Sequence, residues 1–321
     1  MRVVIYGAGG IGGVIGGFLA RAGENVTLIG RPGQVQAITD NGLRVLTPNG
    51  NYTVRLPAVT GPNHIDFGPD SVVFLCVKSQ NTEEALNDLR KVVFNVPVFC
   101  FQNGVRNEET AAQRFSLVYG AMVRFGAVYL NDGEVMARRD PPGWMAIGRY
   151  PGGVDGLVET VAAGLTKAGF VIKATRDIMP LKWGKLMINL SNAIDAITGA
   201  SGEDGERIAL AARDELRELL NRAGLPWASI EEVEKNQPEL VPPVRSRHDT
   251  GARDSTWQSL TRQQGTIETG FLNGEVVRLA KELGCRAPVN EALLRISREM
   301  ATKRELPGKY TSAQLCAMVG L

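Results

Sequence analysis

The first 30 residues constrain this chain more than any other part of it. Val3-Val4-Ile5-Tyr6 is a short apolar run, as a buried parallel strand would be. Gly7-Ala8-Gly9-Gly10-Ile11-Gly12 follows at once and opens a glycine-rich helical stretch that stops at Gly23. Asn25-Val26-Thr27-Leu28-Ile29 then reads as a second strand. A lone G-x-G-x-x-G occurs often by chance. Placed between a strand and a helix inside one βαβ unit, it specifies a dinucleotide-binding turn. Gly7 makes the tight turn, Gly9 lets a pyrophosphate approach the backbone, and Gly12 lets helix and strand pack closely. Ala8, Gly10 and Ile11 complete the turn, whose helix N-terminus offers N–H donors and partial positive charge to phosphates.

The residue type after the second strand selects the dinucleotide. NAD-preferring sites place a carboxylate there for the ribose 2′-hydroxyl. This chain reads Ile29-Gly30-Arg31, and Asp40 is too far along. The Arg31 fork suits a 2′-phosphate, so the expected cofactor is NADPH/NADP. Val77-Lys78-Ser79-Gln80 and Gln102-Asn103-Gly104 each follow a strand-like run, Ser71–Val77 and Val96–Phe101. Ligands of open α/β sheets bind beyond the carboxyl ends of strands. Lys78 and Gln80 are therefore candidate cofactor contacts, and Asn103 a contact to nicotinamide or substrate. Each is equally readable as a loop former.

Leu43–Leu46 and Tyr52–Leu56 flank Asn49-Gly50, as a β-hairpin does. Leu117–Ala121 is a further strand. Strands alternating with helical stretches predict an α/β fold, a Rossmann-type doubly wound sheet over residues 1–176. From Pro180 apolar residues recur at helical spacing, over 181–198, 205–223, 255–283 and 288–304, and no strand is evident after 175. The second domain, 177–321, is expected to be all-α. A length of 321 residues suits two domains.

The formal charge of +2 gives no pull toward nucleic acid or anionic lipid, and Arg245-Ser246-Arg247-His248 reads as a solvated loop. No apolar run is long enough for a membrane span, and the N-terminus lacks a signal-peptide pattern. A cytoplasmic location is expected. Cys76, Cys100, Cys285 and Cys316 show no metal-ligand spacing and read as free thiols; no metal is expected.

On a continuous helix, Lys182, Lys185, Asn189 and Asn192 would share one face, with Trp183, Leu186, Met187 and Leu190 on another. Such a polar stripe is either a solvated face or a row of hydrogen-bonding groups. Later, Glu268 and Asn273 interrupt an apolar, glycine-bearing pattern.

Taken in order and spacing, Gly7-x-Gly-x-x-Gly, Arg31, Lys78, Gln102-Asn103-Gly104, Lys182-Trp183-x-Lys185-Leu186-x-x-Asn189, Glu268-x-x-x-Leu272-Asn273-Gly274 and Pro288-Val289-Asn290 resemble the ketopantoate reductase family, from residue 1 to about 300. The resemblance implies NADPH-dependent reduction of ketopantoate (2-dehydropantoate) to (R)-pantoate, in pantothenate biosynthesis. It implies Lys185 as general acid, Glu268 as active-site carboxylate, and Asn103, Asn189 and Asn192 as substrate contacts. Thr256 or the neighbouring Ser255 would grip the substrate carboxylate, and Glu268 and Asn103 would also touch the cofactor. Three positions depart from the family pattern. The acidic residue two after the glutamate is absent. Ala193 stands where a second helix asparagine is expected. Ser255-Thr256-Trp257-Gln258-Ser259-Leu260 replaces Ser-Ser-Met-Leu-Gln-Asp. Two alternatives follow: reduction of another 2-oxo acid, or NADP sensing without turnover. A homodimer through an exposed apolar helix face is a further expectation.

Overall fold

The computed structural model describes residues 1–129, 131–199, 202–242, 246–247, 254–263 and 265–321. The chain divides into two units, Met1–Leu181 with Ile230–Asp249, and Lys182–Ser229 with Thr250–Leu321.

The first unit begins β1 (Arg2–Tyr6), α1 (Gly10–Arg21), β2 (Asn25–Ile29), α2 (Pro32–Asn41). There follow β3 (Leu43–Leu46), β4 (Tyr52–Val54), β5 (Ala58–Val59), β6 (Ser71–Leu75), α3 (Thr82–Val92), β7 (Val98–Cys100) and α4 (Asn107–Ala112). Next come β8 (Val118–Phe125), β9 (Ala127–Val128), β10 (Glu134–Ala137), β11 (Arg139–Asp140), β12 (Gly143–Arg149), α5 (Gly156–Lys167) and β13 (Val171–Ala174). Eight strands form one sheet in the order β13-β12-β8-β7-β6-β1-β2-β5. All its pairings are parallel except β8 with β12. From β1 the chain builds outward to β2 on one side and to β6 on the other. That reversal leaves a crevice at the strands' carboxyl ends, where ligands of such sheets bind.

Apolar helix faces cover both sides of this sheet. Val14, Ile15, Phe18 and Leu19 of α1 and Val158, Val161 and Leu165 of α5 join one core cluster. Ala85, Leu86 and Leu89 of α3 and Ala111 of α4 join the other. Asp155 caps α5 by accepting from the Leu157 and Val158 N–H groups, while its second oxygen takes the Tyr119 hydroxyl. The doubly wound reading is borne out.

The 43–54 hairpin forms as expected, but it belongs to a separate sheet, β4-β3-β10-β9. That sheet packs against α1. A methyl at Gly13 would stand 2.5 Å from Val135 Cγ1, and one at Gly17 would stand 2.5 Å from Val45 Cγ2. The glycines of α1 thus let two sheets close on one helix.

In the second unit, the stretch expected as one helix over 181–198 is two. α6 (Ile178–Asn189), which starts in the first unit, ends before Leu190, and α7 (Asn192–Thr198) begins after Ser191. The Ser191 hydroxyl donates to the Ile188 carbonyl, a local bond that competes with the helix ladder. Then come α8 (Glu203–Ala223) and, back in the first unit, α9 (Ile230–Asn236) and β14 (Ser246–Arg247). The helix expected over 255–283 is also broken, into α10 (Ser255–Thr261), a 3-10 turn at Glu268–Phe271 and α11 (Asn273–Glu282). α12 (Pro288–Thr302) and α13 (Ser312–Val319) complete the chain.

Two expectations for the later half need correction. Ser246–Arg247 is a strand paired with β11, not a loop; Arg245 and His248 lie outside the described residues. The segment from Ile230 returns to the first unit, which a single cut near 176 does not capture. Glu234 anchors this return. It accepts from Trp144 Nε1 and Arg124 Nε, both at 2.9 Å, and Lys173 donates to Gln237 nearby. Among the described residues no helix is long and apolar enough to cross a membrane.

Trp144 is buried, so removing its acceptor strands an indole N–H. Glu234→Ala is expected to cost about 1–3 kcal/mol in chemical denaturation, and Glu234→Gln, which keeps an acceptor, clearly less. Equal losses in the two variants would remove the Trp144 bond as the anchor.

Candidate active site

In the first unit the turn Gly7-Ala8-Gly9 sits at the junction of three strand ends. The Gly7 and Ala8 N–H groups donate to the Ile29 carbonyl of β2, at 2.9 and 3.0 Å. Gly7 has φ +117°, and a Cβ there would lie 2.6 Å from the Cys76 carbonyl carbon and the Val77 nitrogen. A Cβ at Gly12 would collide with the Gly7 carbonyl. Around Gly9, by contrast, a Cβ would meet nothing within 4 Å. No side chain caps the N-terminus of α1, which leaves its first N–H groups for a ligand. Tight below, open above and uncapped, Gly7, Ala8, Gly9, Gly10, Ile11 and Gly12 fit a dinucleotide pyrophosphate.

Arg31 is the N-cap residue of α2. Its exposed side chain makes no ion pair among the described residues. Lys78 and Gln80 follow β6, just after Cys76 and Val77, whose backbone lies against Gly7. Gln80 Oε1 is buried with no hydrogen-bond partner. Asn103 follows β7 at the same sheet edge, and its carbonyl accepts from Ser79 Oγ at 3.1 Å and Asn107 Nδ2 at 2.8 Å. Gln102 is instead buried and donates to Thr82 Oγ1, which donates to Asn107. The sheet edge therefore sets Gly7 against Cys76 and Val77, and Ser79 against Asn103, with Lys78 and Gln80 on the same β6 exit. The sequence reading missed Ser79, Thr82 and Asn107, the polar scaffold of that edge. It also missed Gln34, whose buried amide donates to the Ala8 carbonyl at 2.9 Å.

In the second unit Lys182, Lys185 and Asn189 lie on one face of α6. The face is not solvated: Lys182 is 3% exposed and Asn189 5% exposed, with Lys185 half-buried. Asn192 does not continue that helix. It opens α7, beyond the break. α10 packs against α7 and carries Ser255 and Thr256. Glu268, buried, stands in the 3-10 turn that leads to Asn273. The Asn273 amide donates to the Leu190 carbonyl at the α6–α7 break and to Asn290 Oδ1. Glu215 accepts from Asn290 Nδ2 and from the Val289 and Asn290 N–H groups, which fixes the start of α12. Asn273 and Asn290 thus brace the break rather than serve as free groups.

Among the described residues, five buried polar atoms of the second unit have no partner: Asp254 Oδ2, Ser255 Oγ, Thr256 Oγ1, Thr269 Oγ1 and Asn273 Oδ1. Buried polar groups are normally hydrogen-bonded, so such a group of orphans marks where a polar ligand fits. Asp254 Oδ1 caps α10 through the Thr256 and Trp257 N–H groups, at 2.7 and 3.0 Å. Burial, and then the charge of Asp195, push its carboxyl up to about 6, against the pull of the helix N–H groups. Burial also pushes the Cys76 thiol up, so no ready thiolate lies beside the glycine turn.

Comparison with known proteins accords with this geometry. The model of the family Ketopantoate reductase PanE/ApbA matches residues 3–152, and that of its C-terminal part matches residues 177–301. The 2-dehydropantoate 2-reductase of Archaeoglobus fulgidus is 31% identical over 304 residues, 92% of this chain and 97% of its own. That of Pyrococcus horikoshii is 30% identical over 298 residues, 90% of this chain and 94% of its own. The crystal structure of a PanE/ApbA family ketopantoate reductase from Ralstonia eutropha superposes with a TM-score of 0.79 at 29% identity, covering 95% and 99% of the two chains.

Asp254 generates a prediction. Its native pKa lies above the unfolded value, so its stabilising effect is complete below about pH 4 and is lost as pH rises through about 6. Asp254→Asn keeps a capping acceptor but cannot ionise. Between about pH 4 and pH 7 the wild type is expected to lose about 2 kcal/mol more than this variant in urea unfolding. Parallel pH profiles would contradict the assignment.

Proposed function

From the premise that this chain belongs to the ketopantoate reductase family, we propose that it reduces 2-dehydropantoate to (R)-pantoate with NADPH. The observation that carries the reading is the set of buried hydroxyls without partners among the described residues, Ser255 Oγ and Thr256 Oγ1, in the unit that holds Lys185, Asn189 and Glu268. A 2-oxo acid needs hydroxyl donors for its carboxylate and a proton donor for its carbonyl.

A bound NADPH would supply the hydride that reduces the 2-oxo carbon. The glycine turn and the α1 N-terminus would hold its pyrophosphate, Arg31 its 2′-phosphate, and Lys78 and Gln80 would contact the cofactor. The Lys185 ammonium donates its proton to the carbonyl oxygen as negative charge develops there. The Asn103, Asn189 and Asn192 amides orient the oxygen and hydroxyl groups. The hydroxyl of Thr256, or of Ser255 beside it, donates to the carboxylate. Glu268 accepts from a substrate or ribose hydroxyl and positions Lys185.

A second reading, a different or bulkier 2-oxo acid, has its own support. Gly270 stands two residues after Glu268, where the family has an acid, and a Cβ there would lie 2.6 Å from Arg298 Nη2. The Arg298 guanidinium thus lies against a position without a carboxylate, and Trp257 also departs from the family pattern. Steady-state kinetics over a panel of 2-oxo acids separates the two: the first reading requires the highest kcat/KM with ketopantoate.

Lys185→Ala is expected to lower kcat by at least about 100-fold while NADPH binds within a few-fold of wild type. Near-normal turnover in that variant would remove Lys185 as the acid.

A further inference from the structure

The α2 N-terminus holds a charge that the sequence around Arg31 does not announce. The carboxylate of Asp132, 99 residues beyond Gly33, rests on the first turn of α2, where a Cβ at Gly33 would collide with Asp132 Oδ2. Three contacts fix it there. The Tyr129 hydroxyl donates to Asp132 Oδ1. The next residue, Gly133, donates its N–H to Gln34 Oε1 at 2.6 Å. Gly133 also lies so close to α2 that a Cβ on it would stand 3.0 Å from Ala37 Cβ. Gln34 in turn donates to Ala8 of the glycine turn. The position of Asp132 is therefore registered to the dinucleotide turn through one buried side chain. Asp132 forms no ion pair with Arg31 among the described residues, so the two opposite charges stand separately at the same end of α2.

We infer that Asp132 is a second cofactor-discriminating residue, which weakens the hold on a 2′-phosphate and lets the chain also accept the unphosphorylated dinucleotide. The inference rests on the reading of Arg31 as the 2′-phosphate contact. A 2′-phosphate bound by Arg31 beside α2 meets the Asp132 carboxylate as a like charge, at the helix end whose dipole would otherwise favour it. A free ribose 2′-hydroxyl meets the same carboxylate as a hydrogen-bond acceptor. An exposed carboxylate acts through screened charge, so the effect is a moderate tilt and not an exclusion.

The test measures dissociation constants of NADP+ and NAD+ for wild type, Asp132→Asn and Arg31→Ala at low salt, by calorimetry. Asparagine keeps the shape and an acceptor for Tyr129. Asp132→Asn is expected to raise the preference for NADP+ over NAD+ by roughly 3- to 10-fold. Arg31→Ala is expected to lower that preference. If Arg31→Ala lowers it while Asp132→Asn leaves it within twofold or lowers it too, the Asp132 proposal is overturned and the Arg31 reading stands. If Arg31→Ala leaves the preference unchanged, the Arg31 reading falls and this proposal falls with it.

Discussion

Between Gly7 and the exit of β6 there is no room for a side chain. A Cβ at Gly7 would lie 2.6 Å from the backbone of Cys76 and Val77, and one at Gly12 would strike the Gly7 carbonyl. This backbone-on-backbone contact draws β1, β2, β6 and the start of α1 to one point. Lys78 and Gln80 follow immediately on the β6 exit that this contact holds against the turn. Arg31 is at hand because the turn bonds to the last residue of β2. The open space over Gly9 and the uncapped helix end follow from the same geometry. Any bulk at Gly7 or Gly12 would disturb all of these at once.

The second unit solves a different problem, which is to keep polar groups dry and available. The α6–α7 break, braced by Asn273, ends the run of α6 just past Asn189. Asn290 and Glu215 close a buried network behind Asn273. Asp254 caps α10, while the Ser255 and Thr256 hydroxyls have no partner among the described residues. Leaving buried polar atoms unsatisfied costs stability, of order 1–3 kcal/mol each. A substrate that satisfies them recovers that cost as binding.

The local signals in the sequence were legible. The βαβ unit, the hairpin at Asn49-Gly50 and the helical texture after Pro180 rest on periodicity and turn chemistry within a few residues. The glycine turn, Arg31, Lys78, Gln80 and Asn103 could be proposed as candidates because strand ends are visible as apolar runs. What escaped notice depends on distant partners. Gln34 looks like any helix-face glutamine until Gly133 and Ala8 are placed on either side of it. Glu234 looks like one charge among several in Glu231-Glu232-Val233-Glu234 until Trp144 and Arg124 meet it. The break at Leu190–Ser191 was hidden because the flanking apolar spacing is helical on both sides. A bond from Ser191 to the Ile188 carbonyl leaves no trace in that spacing. The burial of Lys182 and Asn189 arises from tertiary packing, so the stripe on α6 was readable but its burial was not.

The central proposal is that this chain reduces ketopantoate with NADPH. Following the loss of reduced-nicotinamide absorbance with purified protein, NADPH and ketopantoate tests it most directly. The account predicts saturable oxidation of NADPH that requires the 2-oxo acid and yields one stoichiometric equivalent of (R)-pantoate. Tight NADPH binding with no oxidation, whether ketopantoate or any other 2-oxo acid is added, would contradict it.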